Sequence, residues 1–353
     1  MKRILALVLT LILLLGLASC AKTQPAAAPS VGSAPVASDT NPQASASVVT
    51  IEINYGHGFS PDSPQALAVE EFKSRVEKAS DGRIVVNTFP SGSLGSAQEM
   101  FESLQMGTQE MALLPTARLS GFDPSLQVFD LPFLFPDKET AYSIFDGEVG
   151  QKVLDTLNST GVRGLSIYED GFMHFTSNKM IRTLADFSGL KMRSMESPIK
   201  MEQFKELGCN PVPIDFGELY NALQQNTVDG QENPLATIVP SKFYEVQDYM
   251  LLSYHAYLAQ LVLVSNAWFE SLDEEAQQII IDAARSTAAW ERDLVAQKDV
   301  EYLQAIKDSG TTVFELSEED RQAFVDATAG VYNVAKNVID PELIDAVVDA
   351  CKK

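Results

Sequence analysis

Few residues of this chain are placed to make or break covalent bonds. Its three histidines, His57, His174 and His255, lie far apart, and none has metal-ligand spacing with another. Each reads more naturally as a satisfied hydrogen-bonding residue than as a ligand. The adjacent carboxylates Glu70–Glu71 and Glu318–Glu319 fall on helical patterns, where neighbours point about 100° apart. They are solvated faces, not an acid/base pair. Gly-x-Ser-x-Gly, Walker and Cys-x-x-Cys sequences are absent, and "GHGFSP" (56–61) begins like a dinucleotide fingerprint but lacks its last glycine. No catalytic machinery, metal site or cofactor site is read.

Binding has two candidate features. "GLKMRSMES" (189–197) reads as a short strand that places Met192 and Arg193 on opposite registers. Lys191 can reach solvent along its stem, but a guanidinium in mid-strand needs a partner. That partner is either an internal carboxylate, for which Glu196 and Glu218 are candidates, or an anion from outside. "VDGQENPLA" (228–236) packs Asp, Gln, Glu and Asn between a helix end and a proline. Such a junction either satisfies exposed backbone groups or faces a cleft.

The elements that must position these residues follow an α/β pattern. "VVTIEINYGH" alternates as a strand, and Ala66, Val69, Phe72 and Val76 then recur at helical spacing. The strand "IVVNTFP", the helix "SAQEMFESLQMG" and the strand "EMALLP" continue the order, which implies a parallel sheet with right-handed crossovers. A second series follows. "GEVGQKVLDTLNSTG" is a helix and "VRGLSIYED" a strand, while "FMHFTSN", "LKMRSM" and "NPVPID" read as short strands. "SPIKMEQFKELG" is a helix, as is "FGELYNALQQNTVDG", with its stop at Gly230. The continuous apolar run Leu258–Asn266 suits a central strand. One unbroken helical pattern runs from Asp273 to Asp308 and would be about 54 Å long, so it should tie two lobes together. "SEEDRQAFVDATAGVYNVAKNVI" and "PELIDAVVDACKK" are further helices.

The N-terminus reads as an address. Lys2 and Arg3 precede the apolar run Ile4–Ala18, too short and wrongly flanked for a span, and "LASC" ends at Cys20 in the form of a bacterial lipobox. Residues 1–19 are therefore read as a lipoprotein signal peptide and Cys20 as the lipidated residue. Residues 20–47, rich in Ala, Pro and Ser, are read as a flexible tether. The remainder, about 300 residues, defaults to two lobes with a ligand cleft between them. The chain carries 26 basic and 48 acidic residues, a net −22; without Lys2 and Arg3 the count is 24 against 48, or −24. So acidic a surface excludes nucleic acid and anionic lipid headgroups as partners, and an anionic ligand would need a locally positive pocket. Cys209 and Cys351 could pair, though Cys209 reads as a small buried residue.

"MGTQEMALLP", "FDLPFLF", "GLKMRSMES", "ELYNALQQNTVDGQENPLA" and "KFYEVQDYM" together resemble the solute-binding proteins of tripartite ATP-independent periplasmic (TRAP) transporters, the DctP-type family. The resemblance covers about Thr50 to the C-terminal helices. It implies a two-lobed, periplasmic-binding-protein-like α/β fold that closes on an organic acid and hands it to a membrane permease. One lobe would be 48–170 plus about 259–298, the other 171–258 plus about 299–353.

In sialic-acid-binding relatives the arginine matching Arg193 makes a bidentate pair with the ligand carboxylate, and the residue matching Asn233 bonds the same group. Phe216 matches an aromatic pocket wall and Arg118 another arginine near the pocket. His57 and Gly58 lie where relatives contact ligand, with Gly58 in place of an asparagine. Two departures argue against sialic acid. Met173 stands where a second ligand-contacting arginine is expected, and Pro115 replaces a sugar-contacting glutamate. His174 is a weak substitute for the lost cation. The expected ligand is a smaller or less polar acid: a C4-dicarboxylate, a sugar acid or a related carboxylate. The resemblance also places the protein outside the cytoplasm. The rival readings are a lipoprotein feeding a sensor kinase and a surface hydrolase.

Overall fold

The computed structural model describes residues 50–352; the segments read as signal peptide, lipidated Cys20 and tether lie outside the described residues. The described residues form one compact unit. The chain opens with β1 (Ile51–His57), β2 (Ile84–Phe89), β3 (Met111–Pro115) and β4 (Val162–Phe172). It continues through β5 (His174–Ser177), β6 (Lys191–Ser194), β7 (Asn210–Pro213), β8 (Gly230–Asn233) and β9 (Tyr249–Leu252), then β10 (Tyr257–Ser265) and β11 (Thr312–Glu315). Two sheets result, in the orders β2-β1-β3-β10-β4 and β11-β9-β5-β8-β6-β7. The fold is α/β, with helices flanking both sheets.

The first three strands pair in parallel, as their helical crossovers require. The helix Pro64–Ala79 begins at Ser63, whose hydroxyl accepts from the Ala66 amide, with proline at the first helical position. The helix Ala97–Met106 opens with a Ser96/Glu99 capping box and ends at Gly107, whose φ of 69° is the left-handed conformation that glycine adopts without penalty. β10 runs antiparallel between β3 and β4 and is buried throughout, which explains its unbroken apolar run.

Two chain segments cross between the sheets side by side. β4 passes to β5 through Met173 alone, and β9 returns to β10 through residues 253–256. The Met173 amide donates to the Ala256 carbonyl at 2.8 Å, which ties the crossings together. The long helix spans Glu274–Asp308, 35 residues, capped by Asp273. Ile280, Ala284 and Ala288 pack in the first-sheet core, whereas Ile306 packs among Leu252, Phe243 and Met250 beside the second sheet.

Two details depart from the sequence reading. The helix beginning at Phe216 ends at Gln224, not at Gly230; Asn226 takes the left-handed turn (φ 53°) and Gly230 opens β8. The helix Pro341–Ala350 turns Ile344 and Val347, spaced for one helical face, into the core beneath the first sheet, although residues 299–353 were expected with the second lobe. Cys209 is buried, as its sequence context suggested; Cys351 is half-buried, and both are free thiols.

Candidate ligand-binding site

β6 places Arg193 beneath the second sheet. Met192, on the opposite register, enters a core cluster with Phe175, Phe187 and Phe204, so Arg193 must face the other way. It is 1% exposed, and its Nε donates to the Ile214 carbonyl at 3.0 Å. Its Nη2 is buried without a partner, and among the described residues no carboxylate pairs with it. Neither Glu196 nor Glu218 fills that role. Burial, and next the nearby Arg118 guanidinium, bring its pKa down to about 9. Such a group is poorly stabilised by its own chain.

Arg193 lines a cavity of about 260 Å³. A cavity of about 150 Å³ holds one benzene ring, so this one has room for roughly ten non-hydrogen atoms. Both sheets build the wall. Gly58, Pro115, Arg118 and Leu258 come from the first-sheet side, and Arg193, Phe216 and Asn233 from the second. A side chain added at Gly58 would meet only the Phe216 ring, at 3.9 Å. Arg118 reaches the same Ile214 carbonyl at 3.1 Å, and its Nη1 lies 3.4 Å from Asp215. Asp215 itself caps the helix that begins at Phe216. Asn233 donates to Gln231, whose amide passes the bond to Thr176 at 2.9 Å, so its side chain is held by a buried relay.

A second polar group occupies the wall. Asp170, at the end of β4, is 1% exposed and accepts from three elements: Gln65 (2.9 Å), Thr237 (2.8 Å) and Gln260 (3.1 Å). Burial raises its pKa to about 7 against the pull of the Thr237 and Gln260 donors. Because the Gln260 amide nitrogen faces this carboxylate, its Oε1 points elsewhere, and that oxygen is buried without a partner. Among the described residues no three His, Cys, Asp or Glu side chains could hold a metal, and no helix is long and apolar enough to cross a membrane.

Residues 55–337 match the family described as bacterial extracellular solute-binding protein, family 7, or DctP. The chain belongs to that family. It is 37% identical over 287 residues to a solute-binding protein of Verminephrobacter eiseniae, covering 81% of this chain and 84% of that one. The sugar acid binding protein DctPAm from Advenella mimigardefordensis, solved in complex with galactonate, superimposes with a TM-score of 0.84 at 38% identity, covering 86% of this chain and 98% of that one. A TRAP periplasmic solute binding protein from Sulfurospirillum deleyianum, solved with bound succinate, gives 0.81 at 33% identity, covering 85% and 98%. This DctP-family protein is thus an extracytoplasmic solute-binding receptor of the TRAP type, not an enzyme.

Three residues expected at the site of this DctP-family member lie off the cavity wall. His57 ends β1, is buried, and its Nδ1 accepts from the Phe59 amide at 3.2 Å; burial holds its pKa near 4. It shapes the turn that presents Gly58. Met173 sits behind the wall, in an apolar group with Met195 and Leu258, which do line the cavity. The fully buried ammonium of Lys200 lies 3.2 Å from the Met173 sulfur and 3.5 Å from Glu232. Burial opposes ionisation of Glu232, but Lys200, His255 (2.6 Å) and Gln203 (3.0 Å) outweigh it and hold its carboxyl near 2. His174 lines a separate cavity of about 200 Å³ with Lys138, Tyr254 and Asp299. Burial lowers its pKa to about 3, so it is neutral and cannot replace a lost cation.

Asp170, Thr237 and Gln260 were not singled out from the sequence. Gln260 carried a signal, being a polar residue within the apolar run "LAQLVLVSN". Asp170 carried little, because "YED" reads equally well as a frayed strand end.

Proposed function

We propose that this receptor captures a small organic acid in the cavity that Arg193 lines and delivers it to the membrane permease of a TRAP transporter. The observation that carries the reading is Arg193 itself, a buried guanidinium on a cavity wall with a free donor and no carboxylate beside it. A ligand carboxylate would supply the missing counter-charge through two parallel hydrogen bonds. Asn233 would bond the same carboxylate, Arg118 would strengthen the local field, and Phe216 and Gly58 would bound the ligand body. The reading is supported by the relatives solved with galactonate and succinate, both small carboxylates.

Capture would work by closure. Residues 48–170 with 259–298 would form one lobe and 171–258 with about 299–330 the other, each contributing contacts, so that the ligand favours the closed state by its differential affinity. Lipidation at Cys20 would hold the receptor at the outer face of a membrane, with residues 21–47 as its tether.

A thermal-shift screen of organic and sugar acids tests the reading. A ligand at about 100 times its Kd should stabilise the fold by about 2.7 kcal/mol, enough to raise Tm by several degrees. Arg193→Ala should weaken the hit at least about tenfold by calorimetry. Unchanged affinity in that variant would refute the assignment of Arg193.

A further inference from the structure

We infer that Asp170 and Gln260 form an acceptor end of the cavity that makes this receptor select monocarboxylates carrying hydroxyl or N–H donors and reject dicarboxylates. The inference rests on the reading of Arg193 as the carboxylate partner.

The wall is chemically polarised. On the second-sheet side Arg193 offers a buried donor that has no acceptor. On the first-sheet side the Asp170 carboxyl and the Gln260 Oε1 offer acceptors, and the latter is buried with no donor to meet it. The two ends are separate: Asp170 lies two residues before the end of β4 in one sheet, Arg193 lies on β6 of the other, and no ion pair joins them. Neither end can rotate into the opposite role. Gln260 is oriented by its amide hydrogen bond to Asp170, and Asp170 is clamped by donors from two helices and β10.

Ion pairing points the same way. Arg118 has Asp215 within ion-pair distance, which leaves Arg193 as the lining cation without an ion-pair partner. One ligand carboxylate balances it. Above about pH 7, where Asp170 is ionised, a second carboxylate seated there would face a carboxylate and an amide oxygen, both acceptors. A hydroxyl or N–H there would instead donate to Gln260 Oε1 and leave no buried acceptor idle. Sites built to hydrogen-bond a ligand hydroxyl reject analogues lacking it far more strongly than apolar pockets discriminate by size.

The test is calorimetry at pH 8, where Asp170 is ionised, on the mature chain with D-erythronate, D-galactonate, succinate and butyrate. Erythronate, succinate and butyrate share a four-carbon length but differ in hydroxyls and in the second carboxylate. The tighter of the two hydroxy acids should bind at least about tenfold better than either succinate or butyrate. Asp170→Asn should narrow its advantage over succinate at least about tenfold, and Gln260→Met should narrow its advantage over butyrate. The wild-type ratios stand as a test even where a variant fails to fold. Succinate binding as tightly as both hydroxy acids would overturn this inference and leave the receptor reading intact. Binding of none of the four at millimolar concentration would overturn the receptor reading, and this inference with it.

Discussion

Arg118 and Arg193 donate to one carbonyl oxygen, that of Ile214, at 3.1 and 3.0 Å. Two guanidinium groups therefore share one neutral acceptor in a buried wall, and among the described residues Asp215 is the one carboxylate within ion-pair distance of either. The chain keeps a local excess of positive charge where its net charge of −22 would otherwise repel an anion.

That arrangement opposes stability to binding. Arg193→Met, which keeps the length and removes the charge, should stabilise the ligand-free protein by about 1–3 kcal/mol, since a poorly paired buried ion is replaced by an apolar group. The same variant should lose ligand affinity. Urea denaturation without ligand checks the first outcome, and a fall in stability would mean that an internal partner already satisfies the guanidinium.

The position of Met173 explains why a second arginine cannot simply be restored there. The Lys200 ammonium, fully buried, lies 3.2 Å from the Met173 sulfur. Met173→Arg should therefore destabilise the fold by at least about 2 kcal/mol through like-charge contact. Adding Lys200→Met should recover part of the loss by removing that repulsion. A double-mutant cycle measures the coupling, and additive effects of the two changes would reject it.

The buried carboxyls set the pH profile. Asp130 and Asp170 are each raised from 3.8 to about 7, mainly by burial. Between those values the folded chain holds protons that the unfolded chain has released, so stability falls as pH rises and levels off above about 7. Glu232, lowered from 4.5 to about 2, acts in the opposite sense: its contribution is complete above 4.5 and is lost as pH falls toward 2. The buried histidines, lowered from 6.5 to about 4 at His57 and about 3 at His174, add stability as pH rises to 6.5 and nothing beyond it. Tm measured by calorimetry should accordingly be higher at pH 6.5 than at pH 8, and Asp130→Asn should flatten part of that slope. A Tm that rises steadily from pH 6.5 to 8 would contradict these protonation states.

Much of the fold was legible because its signals are periodic. The long helix was placed within a residue at its start, since Asp273 is a side-chain cap and the pattern never breaks. β8 was not visible: "GQEN" has no apolar alternation, yet all four residues are buried because the β5–β8–β6 pairing and the Glu232 cluster satisfy them. β9 and β11 are four-residue strands whose partners lie far along the chain, and they escaped for the same lack of local signal. At the cavity, Arg193 stood out because a guanidinium is costly in mid-strand. Asp170 did not, because what distinguishes it is three donors from distant segments, a tertiary fact that single-sequence patterns do not carry.

The paired crossings at Met173 and Ala256 have a mechanical consequence. A one-residue crossing at Met173, laced by a hydrogen bond to a four-residue crossing that turns at Tyr254 (φ 47°), would resist sliding along its length more than torsion. Such a joint would behave as a leaf spring with one soft axis. The Glu274–Asp308 helix, bedded in core residues beside both sheets, would then be the stay that limits how far that axis could turn.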